Sequence, residues 1–193
     1  MKKFNIAAQQ KWPNFNHNGI EYPLDHLNVH TITFSGEKHE FPFVVTYGLH
    51  CFAKDNNEGN EVYVPFEAEL AYQDGRETRP FCFERYQMSK LLPEYIKSFD
   101  MAMIRVIGGA DKYRVIELID QDTGDVLEYK IGFSCFKENR LFRLHVTTAF
   151  IERREGLKVG DHKHKSIFQI ALELKKRPRN SDIPKEARNR LKD

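Results

Sequence analysis

The chain has 193 residues, 40% of them hydrophobic and 12% aromatic, with a formal net charge of +2. That length supports one domain with a buried core and no need of staples, and the aromatic content excludes disorder of its body. The apolar runs are short and interrupted, which excludes a membrane-spanning helix, and "MKKFNIAAQQKW" lacks the apolar stretch of a signal peptide.

Three cysteines, Cys51, Cys82 and Cys135, are too few and odd in number for a disulfide framework, and point to the reducing cytoplasm. Charge is unevenly placed. From Arg153 to the end there are 13 Lys/Arg against 6 Asp/Glu, and before it 17 against 22. A basic end on an acidic body suits a polyanion or an acidic partner. A solvated tail that aids solubility explains the same charge.

Residues 1–28 are polar, Asn-rich and patchily aromatic, and read as an extended N-terminal segment. A single α+β domain follows over 29–176, with a basic tail over 177–193. "HTITF" is a short strand. "EFPFVVTYGLHCF" is a longer one, with Phe41, Phe43, Val45, Tyr47, Leu49 and Cys51 on one face at period two. "EVYVPFEAELAY" repeats the pattern, and Pro65 places it at an edge or bulge. The period then changes. Ser89 is a suitable N-cap, Pro93 falls in a first turn, and Leu92, Tyr95, Phe99 and Met103 form one stripe, predicting an amphipathic helix from Lys90 to Ala102.

"KYRVIELIDQDTGDVLEYKIGFSCF" carries two apolar runs joined at Asp122-Thr123-Gly124, a predicted hairpin. "NRLFRLHVTTAFIERR", entered through "KENR", makes the third strand of an antiparallel meander. "SIFQIALELKK" alternates Phe168, Ile170, Leu172 and Leu174 with polar positions, predicting a last strand. Asp182 and Pro184 open a short basic C-terminal helix. The fold class is thus α+β, with β-rich antiparallel sheets and one main helix.

His50 and Cys51 stand side by side, but alternation sends them to opposite faces, so they are poorly placed to form one dyad or bind one metal. Cys51 reads as a core residue and His50 as the exposed one. His26, His30, His50, Cys51 and Cys82 lack paired zinc-ligand spacing, and no metal or cofactor is implied. Nor is there a nucleophile elbow, a phosphate loop or a dinucleotide fingerprint.

The third meander strand carries the chemistry. Phe142, Leu144, Val146, Thr148 and Phe150 are expected on the core face, and Arg143, His145 and Thr147 in a solvent-facing row. A titratable imidazole beside a guanidinium suits metal-independent RNA cleavage, the first moving a proton and the second stabilising the phosphorane. A plain solvated strand face holds the same residues. Arg85 and Tyr86, in the basic and aromatic run "RETRPFCFERYQMSK", suit phosphate contact and base stacking, or else helix anchoring.

The segment "YRVIELIDQDTGDVLEYKIGF" followed by "LFRLHVTTAF" resembles the C-terminal sheet of the barnase/colicin/RelE-like nucleases of bacterial toxins and phage-associated proteins, over residues 112–154. The resemblance implies a metal-independent endoribonuclease held by an antitoxin. The sequence therefore supports two readings. One is an RNA-binding protein of a toxin or phage-defence system, cleaving through Arg143, His145 and Thr147 with Arg85 and His50 assisting, and holding RNA by Tyr86, Lys175, Lys176, Arg177 and Arg179. The other is a non-catalytic adaptor or inhibitor that binds a protein through a sheet edge and the basic tail.

Overall fold

The computed structural model describes residues 11–55, 66–74, 77–106, 111–119, 126–152 and 163–178. The architecture is α+β. In chain order it runs β1 (Phe15–His17), β2 (Ile20–Tyr22), β3 (His30–Ser35), β4 (Glu40–His50), β5 (Ala71–Gln73), β6 (Thr78–Pro80), α1 (Phe83–Ser89), α2 (Leu92–Lys97), β7 (Ile104–Val106), β8 (Asp111–Ile119), β9 (Val126–Glu138), β10 (Leu141–Glu152), β11 (His164–Lys165) and α3 (Ile167–Lys176).

Among the described residues, seven strands form one sheet in the order β11-β7-β8-β9-β10-β4-β3. The expected meander is present: β8 pairs with β9, and β9 with β10, both antiparallel. The β9–β10 connection is tight because Asn139 (φ 49°) and Arg140 (φ 73°) both adopt the left-handed conformation of a two-residue hairpin turn. The predicted turn at 122–124 lies outside the described residues. β4 joins the meander on its far side, parallel to β10.

One sheet face is packed by the helices. Phe99 meets Phe133 (ring centroids 4.9 Å apart), Tyr95 meets Tyr129 (5.9 Å), and Phe168 of α3 reaches Phe41 (6.4 Å). Leu92, Ile96 and Phe99 are the buried stripe, while Met103 is exposed. Of the single helix expected over Lys90–Ala102, the α-helical part is only Leu92–Lys97 (α2), and a separate helix, α1, precedes it. Ser89 ends α1 instead of capping α2, donating from Oγ to the carbonyl of Tyr86 (2.8 Å). Pro93 does occupy the first turn of α2, and a 3-10 turn over Ser98–Met101 finishes the segment.

The strand expected at "SIFQIALELKK" is α3. Its buried residues are Ile167, Ile170, Ala171 and Leu174, a helical spacing that coexists in this run with the alternation of Phe168, Ile170, Leu172 and Leu174. Local chemistry decides between the two periods. Ser166 Oγ accepts from the amide of Gln169 (3.2 Å) and Gln169 Oε1 accepts from the amide of Ser166 (2.9 Å), a complete capping box.

The N-terminal segment is more ordered than its composition implied. Asn18 (φ 51°) and Gly19 (φ 74°) turn β1 back onto β2. Phe15 of this hairpin stacks on Phe81 (4.1 Å), Trp12 meets Phe52 edge-on (5.0 Å), and Tyr22 meets Tyr86 (5.5 Å). Within the run expected to form a strand over Glu61–Tyr72, the described residues form a 3-10 turn over Ala68–Leu70 and then enter β5. Residues 61–65, with Pro65, lie outside the described residues, as does the helix expected from Asp182.

Candidate functional site

The side chains proposed to act together fall in three places. The first is the middle of β10. Arg143 and His145 do point away from Leu144 and Val146, as alternation requires, but not into solvent. Arg143 is 2% exposed and His145 3%, so the expected open groove is replaced by a closed polar strip. Buried residues of the neighbouring strands flank both side chains. Register sets Arg143 opposite Phe136 and His145 opposite Ser134 on β9, and His145 opposite Thr46 on β4. Thr46, Ser134, Phe136 and Glu138 are all buried too.

Within the strip, His145 Nδ1 and Thr46 Oγ1 are hydrogen-bonded at 3.0 Å. The imidazole lies over β4, where a Cβ added to Gly48 would sit 3.5 Å from Nε2 and 2.9 Å from the carbonyl oxygen of Thr147. Only glycine lets β4 approach β10 this closely. Arg143 Nε stands 3.6 Å from Glu138 Oε2, a buried ion pair. Burial pushes the guanidinium below its usual pKa, and the Glu138 carboxylate partly offsets this.

A bulge between Val146 and Thr148 then shifts the register, seen against both β4 and β9. It turns Ala149 and Ile151 to the helix-packed face, which the even spacing assigned to Thr148 and Phe150. Thr147, in the bulge itself, is half-buried. The meander's third strand therefore does not present one continuous row of Arg, His and Thr.

The second place is the corner where β4 ends. Arg85 Nη1 donates to the carbonyls of His50 (3.2 Å) and Ala53 (2.9 Å), and its guanidinium lies 5.5 Å from the Phe150 ring centroid. His145 and Phe150 are five residues apart on β10, roughly 16 Å at ordinary strand rise. The His50 ring instead faces Glu77 (Nε2–Oε1 3.7 Å), beside Arg79, which bridges Asp55 (2.8 Å) and Glu77 (2.7 Å). Burial lowers the His50 pKa, and Arg79 lowers it further. Cys51 is fully buried, its thiol pushed up to about 12 by burial, so it forms no reactive pair with His50. Cys82 is half-exposed.

Tyr86 takes the anchoring alternative of the two read from the sequence. It is 3% exposed, packed by Tyr22 and Phe81, with Lys90 Nζ 4.5 Å from its centroid, so its ring offers no platform to a base.

The third place is the end of α3. Lys175, Lys176 and Arg177 are exposed. Lys137 of β9 donates to the carbonyls of Lys175 (3.3 Å) and Arg177 (3.2 Å), and exposed Arg140 follows in the hairpin turn. Lys137 therefore caps the helix, whose partial negative end it complements. Arg179 lies outside the described residues. Among the described residues, no three His, Cys, Asp or Glu side chains are grouped to hold a metal. No described helix is long and apolar enough to cross a membrane.

Sequence alone missed Thr46, Ser134, Glu138 and Gly48, the neighbours that enclose Arg143 and His145. They come from two other strands, β4 and β9, and no local pattern signals the parallel β4–β10 pairing that completes the set.

Comparison with known proteins places the chain. No solved structure matches it. It is 32% identical over 191 residues to "Protein YjaZ" of Escherichia coli strain K12, an alignment covering 93% of this chain and 97% of the relative. The model of the YjaZ family matches residues 14–175. The chain belongs to the YjaZ family.

Proposed function

We propose that the protein is a cytoplasmic RNA-binding module that holds RNA at its basic end without cleaving it. The observation that carries this reading is the meeting of two cationic segments distant in sequence. Lys175, Lys176 and Arg177 at the end of α3 adjoin the hairpin carrying Lys137 and Arg140. Such a patch suits the sequence-independent phosphate term of RNA affinity. The burial of Arg143 and His145 supports binding over cleavage, since a general acid or base must reach the proton it moves. The three free thiols are in keeping with a reducing compartment.

The test is a titration of a fluorescent single-stranded RNA at 50 and 200 mM salt. Each phosphate contact adds about 0.7 to the salt slope, so three contacts give roughly twentyfold weaker binding across that range. Lys175→Ala/Lys176→Ala/Arg177→Ala should remove most of that dependence. Absence of wild-type binding at 50 mM salt eliminates the reading, and RNA cleavage lost in His145→Ala restores the enzymatic one.

A second reading is a protein-binding adaptor. It is favoured by Met101 and Met103, 92% and 61% exposed, which lie just before β7 near the β11 edge of the sheet. Methionine suits adaptable protein contacts. If it is right, Met101→Ser/Met103→Ser abolishes complex formation while RNA affinity stays at background in every variant.

A further inference from the structure

The seven-stranded sheet has two unlike edges. β11 is two residues long, His164 and Lys165, with exposed Lys163 just before it. Brevity and lysine are common means of keeping a sheet edge from pairing with another chain. β3, at the opposite edge, has neither. It is six residues long and carries no Lys, Asp, Glu or Pro. Its register against β4 is unbroken, so no bulge twists it away. Among the described residues, no strand pairs with its outer side.

The side chains of β3 suit a pairing made by the backbone. Ile32 and Phe34 are already buried in the core, while Thr31, Thr33 and Ser35 are exposed on the other face. Threonine fits a pleated surface, and Thr–Thr pairs across two strands are favourable.

We propose that β3 pairs antiparallel with β3 of a second copy of this chain, about a twofold axis at Ile32. This register sets Thr31 of each copy opposite Thr33 of the other, and His30 opposite Phe34, so no two charged side chains oppose each other in the strand pair. Extended past the strand, it brings Lys38 and His39 of the β3–β4 turn towards Asp25 of the other copy, all three exposed. Glu37 is brought towards Leu27, not towards an acid. By symmetry the opposite charges meet at both ends of the pair. The two sheets then run on as one across the axis.

A six-residue strand pair is a small interface, so dimerisation in the micromolar range is expected. Sedimentation velocity of the full chain from about 1 to 300 µM should show dimer forming as concentration rises. The two exposed threonines are then recharged, which should leave the circular dichroism spectrum unchanged. Thr31→Lys/Thr33→Lys sets lysine against lysine at both symmetric pairs and should weaken dimerisation by roughly tenfold. Thr31→Lys/Thr33→Glu sets lysine against glutamate at both and should dimerise as well as wild type. A wild type that stays monomeric throughout the range overturns the proposal and leaves the edge to a strand of another protein. Undiminished dimerisation in Thr31→Lys/Thr33→Lys, or its loss in Thr31→Lys/Thr33→Glu, overturns it as well.

Discussion

His145 and Thr46 are hydrogen-bonded at 3.0 Å although 99 residues separate them in the chain. The contact crosses the parallel β10–β4 pair, and both side chains are buried. It is a structural bond in the middle of the sheet, and it fixes the imidazole that the sequence offers as a catalyst.

Its loss should be felt as instability. Thr46→Val keeps the shape and removes the hydroxyl that the buried imidazole Nδ1 bonds. The cost should be about 1–2 kcal/mol in urea unfolding. A variant as stable as wild type would show that the bond adds nothing.

Gly48→Ala is predicted to be costly for steric reasons alone. The new Cβ would meet the Thr147 carbonyl at 2.9 Å, which is backbone and cannot swing aside. A loss of about 1–3 kcal/mol is expected, with the largest amide chemical-shift changes at the bulge. Wild-type shifts at Val146–Thr148 would contradict the close approach.

Arg143 and Glu138 should show strong coupling. Both are buried, so removing Glu138 takes from the Arg143 guanidinium the carboxylate that offsets its burial. Glu138→Ala should cost on the order of 3 kcal/mol, and Glu138→Leu/Arg143→Leu less than the sum of the two single changes. Additive losses across that cycle would rule out the pair as an energetic unit.

Acid should destabilise the fold through His26 and His50. His26 Nε2 lies 2.8 Å from Ser89 Oγ. Because Ser89 already donates to Tyr86, the imidazole is the donor. Burial first and Lys90 second lower the His26 pKa, and burial and Arg79 lower that of His50. With the folded values depressed, the unfolded chain takes up these protons first as pH falls below about 6.5. Stability should therefore decline from pH 7 towards pH 5. His26→Gln should reduce the slope of urea midpoint against pH, and an unchanged slope would remove His26 from the explanation.

The capping box of α3 is a further test. Ser166→Ala should cost about 1 kcal/mol, read as a lower thermal midpoint.

Much of the architecture is legible in the residues themselves. The meander follows from its period-two runs, and the core placement of Phe41, Phe43, Val45, Tyr47, Leu49 and Cys51 from the alternation of β4. The α3 segment was ambiguous, because Ile170 and Leu174 serve either period. Ser166 and Gln169, three apart, held the deciding signal. The polar strip was not legible. Arg143 and His145 look solvated to any rule that reads one strand at a time, and only register reveals Ser134 and Thr46 beside them. The bulge at Thr147 is marked by no Gly or Pro within β10, yet it reverses the facing of Ala149, Phe150 and Ile151.

The β4–β10 pairing also has a kinetic side. β3 and β4 form a local hairpin, but the second edge of β4 meets its partner only after β10 has been made, about a hundred residues later. At a synthesis rate of roughly 5–20 residues per second, that edge waits about 5–20 s on the ribosome with Phe41, Phe43 and Val45 uncovered. The meander β8–β9–β10 is local and closes early, whereas the parallel step pays the loop-closure entropy of the long intervening chain. The parallel step that joins the two local units thus completes the sheet, and the β3–β4 hairpin is the part most exposed to misassociation while the chain is incomplete.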